Sequence, residues 1–267
     1  MPLFQIFLVA LIQGITEFLP VSSSAHLILL PELTNLKDQG LTIDVAVHLG
    51  TLVAVIVYFW TDVKKLCCGA LQLARFKMNT SSASLTFYLI VATVPVVIAG
   101  LIIKLAGFDS TLRSVEIIGW TMIVFGIVLY WSDQKSTNKK SFQQWDFKSA
   151  VILGLWQALA LIPGTSRSGA VISGARAIGF LREDSAKLAM LMSIPTIIAS
   201  ATLVSIEVVS NGDLLIVKDS ILAAFFSFIT ALVTIKLMMR FLRYVSFTPY
   251  VIYRIAVGII LLIIAYS

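Results

Sequence analysis

Gln13-Gly-Ile-Thr-Glu-Phe-Leu-Pro-Val-Ser-Ser-Ser-Ala-His26 interrupts an otherwise apolar run from residue 3 to residue 31. It sets an amide, a carboxylate, three adjacent hydroxyls and an imidazole among groups that favour hydrocarbon, where polar side chains are costly to bury. As one helix, 3–31 would be about 43 Å long, against about 30 Å of bilayer hydrocarbon. Pro20 and the serines after it break the run. The reading is therefore two half-helices meeting near Val21, with the chain entering and leaving on one side.

The rest of the chain fixes the setting. Of 267 residues, 58% are hydrophobic and only 13% charged, and the mean hydropathy is +0.96. A soluble domain is nearer one quarter charged, so this composition reads as an integral membrane protein. The net charge of +6 comes from Lys and Arg in short loops, which is the positive-inside signal and argues against nucleic acid as a partner. Cys67 and Cys68 are adjacent, a poor geometry for a disulfide, and lack partners at zinc spacing. No cleavable signal peptide is expected, because no basic residue precedes the first apolar run.

Read in order, spans are expected at about 43–60, 85–105, 115–131, 185–206, 219–241 and 249–266. The segment Thr61 to Ser84 reads as a basic loop, and Ser132 to Lys148 as a second one. Residues 149–179 repeat the opening pattern: an apolar run, then Pro163, then Thr165, Ser166 and Ser168. If 149–179 re-enters, the basic loops 61–84, 132–148 and 240–248 share one side. The loops with acids, 32–40, 106–114 and 207–218 (Asp109, Arg113, Glu207 and Asp213 among them), then share the other. Both termini fall outside.

The expected fold is an all-α polytopic membrane protein of two inverted-topology repeats, 1–131 and 149–267, joined by a cytoplasmic loop at 132–148. Each repeat is a re-entrant helix hairpin, 3–31 or 149–179, plus three transmembrane helices. Three is odd, so the second copy is inverted. Aligning Pro20 with Pro163 sets the repeats 143 residues apart, which matches Ser24 to Arg167 and Glu17 to Ala160. Folds of this kind place their site near mid-membrane, where broken helices meet.

Each second half-helix opens with hydroxyls near its N-cap: Ser22, Ser23 and Ser24 in one, Thr165, Ser166 and Ser168 in the other. Such ends favour anions, phosphate oxygens included. Arg167 adds a planar, fixed positive charge suited to phosphate; a structural partnership with a carboxylate is the alternative. Gln13 and Glu17, four apart on one helix face, could hold a hard divalent cation. Glu17 could instead act as a general base, or only neutralise Arg167. One turn beyond Ser22 and Ser23, His26 reads as a base beside a nucleophilic hydroxyl. Asp44 and His48 form a second pair four apart, read as structural.

These residues carry a specific resemblance. Gln13-Gly-Ile-Thr-Glu17 resembles the [Glu/Gln]-x-x-x-Glu motif of the bacitracin-resistance type undecaprenyl-diphosphate phosphatases. Pro163-Gly-Thr-Ser-Arg-Ser168 resembles that family's Pro-Gly-x-Ser-Arg-Ser motif. Phe18-Leu-Pro-Val-Ser-Ser23 with His26, Ser246-Phe-Thr-Pro249 and Tyr253-Arg254 are similar too. The resemblance implies a Mg2+- or Ca2+-dependent hydrolase of the bacterial inner membrane, with its active site open to the periplasmic face. It implies removal of the terminal phosphate of undecaprenyl diphosphate, recycling the lipid carrier for peptidoglycan synthesis and conferring bacitracin resistance. By position, Glu17 and Gln13 take the acidic motif and the cation, Ser23 the proposed nucleophile, His26 the essential histidine and Arg167 the phosphate. Where the family carries Thr, this chain has Val171, so a hydroxyl there is dispensable or its role has moved to Ser173 or Thr165. Gly is common where Ala25 stands.

The rival class is a transporter or flippase of anionic lipids, because inverted repeats with broken helices suit alternating access. The oligomeric state is not fixed by the sequence, and a homodimer is one of the open states.

Overall fold

The computed structural model describes residues 1–34, 39–107, 114–208 and 214–267. Asp109, Arg113 and Asp213, and the side chains of Glu32 and Glu207, lie outside the described residues. Those described form eleven α-helices and no strand, as expected for an all-helical membrane chain. In order they are α1 (Leu3–Thr16), α2 (Ser23–Thr34), α3 (Leu41–Tyr58), α4 (Trp60–Ala74), α5 (Ser81–Ala106) and α6 (Val115–Lys135). There follow α7 (Phe147–Leu159), α8 (Arg167–Ala177), α9 (Arg182–Val208), α10 (Leu214–Phe241) and α11 (Thr248–Tyr266).

Six of these, α3, α5, α6, α9, α10 and α11, are long and apolar enough to cross a membrane. They stand where the sequence placed spans, several extended by about a turn. The pairs α1–α2 and α7–α8 are helices of 14, 12, 13 and 11 residues, each too short for about 30 Å of hydrocarbon at about 1.5 Å per residue. The breaks between them fall where Pro20 and Pro163 predict.

One expectation is corrected. The segment 61–84 is not a loop throughout, since α4 fills Trp60–Ala74. Its Asp62, Leu66 and Gly69 recur at helical spacing and are buried, while Lys64, Lys65 and Arg75 face outward. Thr86 Oγ1 of α5 donates to the Leu66 carbonyl at 3.0 Å, and Lys187 of α9 pairs with Asp62 at 2.8 Å. Reading the segment for charge alone hides this packing face.

The helices interleave. α10 lies along α3 and α1; α5 lies along α9 and α7; α6 pairs with α11, and α3 with α9. Among the most buried elements is α8, with every residue from Ser168 to Arg176 buried between α6, α7 and α9. Small side chains allow that approach, as they do between membrane helices generally. Gly50 of α3 shows the limit: a Cβ there would lie 2.2 Å from the Ala224 carbonyl oxygen of α10.

The ends of the short pairs are fixed by hydrogen bonds. The amides of Lys139 and Lys140 donate to the Gly179 carbonyl at 3.0 and 2.9 Å, and Leu181 N–H donates to the Lys140 carbonyl at 2.9 Å. The stretch 141–180 thus leaves and returns at one point. Near that point Asp133, fully buried at the end of α6, accepts from Arg176 Nε at 2.8 Å, Arg182 Nε at 2.9 Å and the Phe247 amide at 3.2 Å. One carboxylate therefore ties α6, α8, α9 and the start of α11. At the opposite end of the bundle, the Met1 amino group pairs with Asp219 of α10 at 2.6 Å.

Gly50→Ala is expected to wedge α3 from α10 and cost about 1–3 kcal/mol, the usual range for overpacking a tight contact. The check is the thermal midpoint of the detergent-solubilised protein, and an unchanged midpoint would remove this contact from the account of stability.

Candidate active site

Both breaks are built alike. α1 ends at Thr16, and Glu17 caps it with its amide on the Gln13 carbonyl at 2.9 Å. The chain then turns through Pro20 to Ser22, whose φ of 73° is left-handed, and α2 begins at Ser23. In the second break Ser166 takes φ 70° and α8 begins at Arg167. The hydroxyls of Ser22 and Ser24 lie 3.2 Å apart, those of Ser166 and Ser168 3.1 Å apart. A non-glycine residue in this region costs about 1–3 kcal/mol, so both turns are held by their surroundings.

Matched on these serines, Ser22 with Ser166 and Ser24 with Ser168, the two breaks stand 144 residues apart; matched on their prolines they stand 143 apart. The second break has one residue more between its proline and its helix. In the serine match Arg167 falls on Ser23 and Leu161 on Glu17; in the proline match Arg167 falls on Ser24 and Ala160 on Glu17. The extra residue includes Gly164, at φ 87°, where a Cβ would lie 2.1 Å from Thr121 Oγ1 and 2.7 Å from the Ile118 carbonyl. Only glycine fits there.

The two breaks meet at one ion pair. Arg167 donates from Nη2 to Glu17 Oε1 at 2.7 Å and from Nη1 to Thr196 Oγ1 of α9 at 3.0 Å. The other carboxylate oxygen, Oε2, accepts Ser23 Oγ at 2.7 Å and Gln13 Nε2 at 2.9 Å. His48 Nε2 stands 3.7 Å from the same oxygen, its ring fixed by an Nδ1 bond to the Asp44 carbonyl at 2.7 Å. Gln13, Glu17, Ser23 and Arg167 thus form one constellation.

His26 does not join it. Its Nδ1 bonds the Ser22 backbone carbonyl at 2.7 Å, its Nε2 bonds Tyr253 Oη at 2.6 Å, and the two rings are stacked. The group that accepts from the Ser23 hydroxyl is the Glu17 carboxylate. Ser166 caps α8 through Gly169 N–H at 3.2 Å, and Ser168 Oγ crosses to the Leu19 carbonyl of the first break at 2.9 Å. The Thr165 hydroxyl is buried, with no hydrogen-bond partner in the structure. Val171 sits in the apolar core, and Ser173 bonds back to Gly169 of its own helix at 2.7 Å, away from the ion pair.

Arg254 of α11, fully buried, holds the breaks together. It donates to the carbonyls of Pro20 at 3.1 Å, Gly164 and Thr165 both at 2.9 Å, and Met122 at 3.3 Å. The sequence offered this arginine only through the family resemblance. It gave no reason to single out Thr196, and it set His48 aside as structural. The position of His48 four residues after Asp44 was the available signal.

A cavity of about 500 Å³ opens beside the ion pair. Arg167, Ser24, His48, Asp44 and Gln39 supply polar wall, and Leu27, Leu161 and Ile197 apolar wall. Glu17 is one contact removed, bonded to Arg167 and facing His48. As arranged, both Glu17 carboxylate oxygens are engaged, one of them by the Arg167 guanidinium, and Gln13 turns its N–H2 to the carboxylate. Gln13 Oε1 is buried with no hydrogen-bond partner in the structure, an orphaned oxygen of the kind a hard divalent cation takes.

Six apolar spans around an anion-attracting site at two helix breaks define a polytopic membrane protein that acts on an anionic group within the bilayer. The chain belongs to the bacitracin resistance protein BacA family, whose sequence profile matches residues 6–260. Over 267 residues, all of each chain, it is 58% identical to undecaprenyl-diphosphatase of Dinoroseobacter shibae. It is 57% identical to that of Roseobacter denitrificans and 55% to that of a Jannaschia species, again over full length.

Arg254→Met is expected to release both breaks together. Hydrogen exchange should speed up by about tenfold or more at residues near Val21 and near Thr165, since losing partners for buried carbonyls costs about 1–3 kcal/mol. Exchange in the middle of α10 should not change. Mass spectrometry of the exchanged peptides reads this directly, and release of one break alone would show that Arg254 does not couple them.

Proposed function

We propose that this protein is an undecaprenyl-diphosphatase. It hydrolyses the terminal phosphate of the membrane-bound polyprenyl diphosphate and regenerates the monophosphate carrier used in peptidoglycan synthesis. The observation that carries the reading is the Arg167–Glu17–Ser23 constellation, in which a phosphate-binding cation, a base and a hydroxyl from two helix ends share one carboxylate.

The geometry gives the residues their order of action. A terminal phosphate entering the cavity competes for the Arg167 guanidinium, whose planar fork suits two phosphate oxygens. Glu17, released from Arg167, keeps Ser23 and Gln13 and can take the Ser23 proton. Ser23 Oγ then bonds to phosphorus, the bridging P–O bond breaks, and the prenyl monophosphate leaves with its tail in the bilayer. Water releases inorganic phosphate from the phosphoserine. The dipoles of α2 and α8, which start at Ser23 and Arg167, favour the anion at this point. Direct attack by water activated by Glu17 uses the same groups.

The same reading includes the two inverted repeats, 1–131 and 149–267, in a bacterial inner membrane with the site toward the periplasm. Its support is the correspondence of α1, α2, α3, α5 and α6 with α7, α8, α9, α10 and α11. Under that exchange, α1–α10 becomes α7–α5 and α3–α10 becomes α9–α5, pairs that all pack together. One short pair is anchored at the Lys140–Phe180 end and the other begins at the Met1–Asp219 end. The transporter reading has less support, because the Asp133 cluster binds α6, α8, α9 and α11 together at the far end of the bundle.

The test is phosphate release from a polyprenyl diphosphate by purified protein. Arg167→Ala and Glu17→Ala are each expected to lower kcat/KM by about 10²-fold or more, in line with removal of a transition-state charge contact or a positioned base. Near-normal rates would sink the assignment. Ser23→Ala at full rate would favour water over a phosphoserine, and lipid movement across sealed vesicles without phosphate release would favour a transporter.

A further inference from the structure

Two consecutive residues of α11 hold the first break on either side of Val21. Arg254 Nη1 donates to the Pro20 carbonyl at 3.1 Å. Tyr253 reaches the Ser22 carbonyl through a ring: its Oη lies 2.6 Å from His26 Nε2, and His26 Nδ1 lies 2.7 Å from the Ser22 oxygen. That carbonyl shares one rigid peptide plane with the Ser23 amide. Whatever fixes it also fixes the start of Ser23, whose Oγ donates to Glu17 Oε2 at 2.7 Å.

The partners assign the protons. A carbonyl only accepts, so His26 Nδ1 carries a hydrogen; in the neutral ring Nε2 is then the lone-pair nitrogen, and the Tyr253 O–H donates to it. Both ring nitrogens are occupied, and the Ser23 hydroxyl goes to Glu17 instead. The His26 and Tyr253 rings are parallel within 3°, with centroids 5.6 Å apart. Tyr253 stands in a span, where a phenol must find its acceptor within the protein. The second break has no such device: in the serine match His26 falls on Ala170, whose backbone amide donates to the Ser166 carbonyl at 2.8 Å. The ring belongs to the break that carries the Ser23 hydroxyl.

We propose that Tyr253 is a positioning residue for the reaction, acting through the His26 ring and the Ser22 carbonyl to aim the Ser23 hydroxyl; the proposal rests on the phosphatase reading. His26 in this arrangement donates to the backbone and moves no proton. Ser22 sits at φ 73°, a conformation that a serine holds only under constraint from its surroundings. Released, the turn would carry Ser23 off its line, and a displacement of about 1 Å at a reacting group can cost about 10²-fold in rate.

The experiment measures kcat and KM for phosphate release from a polyprenyl diphosphate by the full-length protein in lipid nanodiscs. Asn can place an amide nitrogen where histidine has Nδ1, and Gln where it has Nε2. His26→Asn therefore keeps the donor to Ser22 and is expected to lose about tenfold in kcat, whereas His26→Gln loses about 10²-fold. Tyr253→Phe is expected to lower kcat about tenfold, as for one lost hydrogen bond, with KM within about twofold. Added to His26→Asn, it should cost less than about twofold more, because the ring through which it acts is gone. Equal losses in His26→Asn and His26→Gln would make the imidazole a proton carrier and overturn the proposal, as would a Tyr253→Phe loss that multiplies with that of His26→Asn. A second reading needs no turnover. The chain has two histidines, so ring 15N NMR at pH 8 resolves His26 by the signals that vanish in His26→Asn. The proton is expected on Nδ1, and the Nε2 signal should shift in Tyr253→Phe; a proton on Nε2, or a signal that stays put, sinks the inference. Wild-type protein that releases no phosphate would instead remove the phosphatase reading and leave the NMR result standing.

Discussion

In hydrocarbon, a backbone carbonyl that leaves a helix has no water to turn to, and each one left bare costs free energy. This protein interrupts two helices in its interior and so creates several such groups at once. Arg254 answers three of them with a single guanidinium, donating to Pro20 in one break and to Gly164 and Thr165 in the other. Its planar fork can reach carbonyls in several directions, which an ammonium on a flexible stem would do less rigidly. The position of the two helix ends relative to each other therefore depends on a residue that does not line the cavity.

On that support the polar groups of the constellation are divided between the two breaks. The first break gives a carboxylate and a hydroxyl, the second a guanidinium, and the two are joined by the 2.7 Å bond between Arg167 and Glu17. Breaks alike in backbone carry unlike side chains: matched on their left-handed serines, Ser23 stands against Arg167 and Glu17 against Leu161. A symmetric pair of carboxylates would repel phosphate, and a symmetric pair of arginines would lack a base.

Much of this was legible before any coordinates. Charge-poor runs gave the six spans, and a proline followed by hydroxyls gave each break. Arg167 and Glu17 stood out because charged groups in such surroundings need partners. What escaped had no one-dimensional trace. The partners of Arg254 are carbonyls, which every residue has. α4 was hidden because its buried face is marked by Asp62, Leu66 and Gly69 among lysines. The left-handed backbone at Ser22 and Ser166, which makes the two breaks alike in shape, is not marked by the prolines, which stand one residue out of step with it. His26 lies within a turn of the serines in sequence, yet its ring turns to Tyr253, a partner 227 residues away.

The Asp133 cluster has a consequence for how the bundle can move. It joins Arg176 and Arg182 to the ends of α6 and α11, about 27 Å along α9 from the cavity residues near Ser200, at about 1.5 Å per residue. A bundle riveted at one end can spread only at the other, as tongs do. Any breathing that widens the cavity is then greatest at the end away from Asp133, and the scaffold carries a sidedness of its own: one end of the bundle is tied by charge, the other is not.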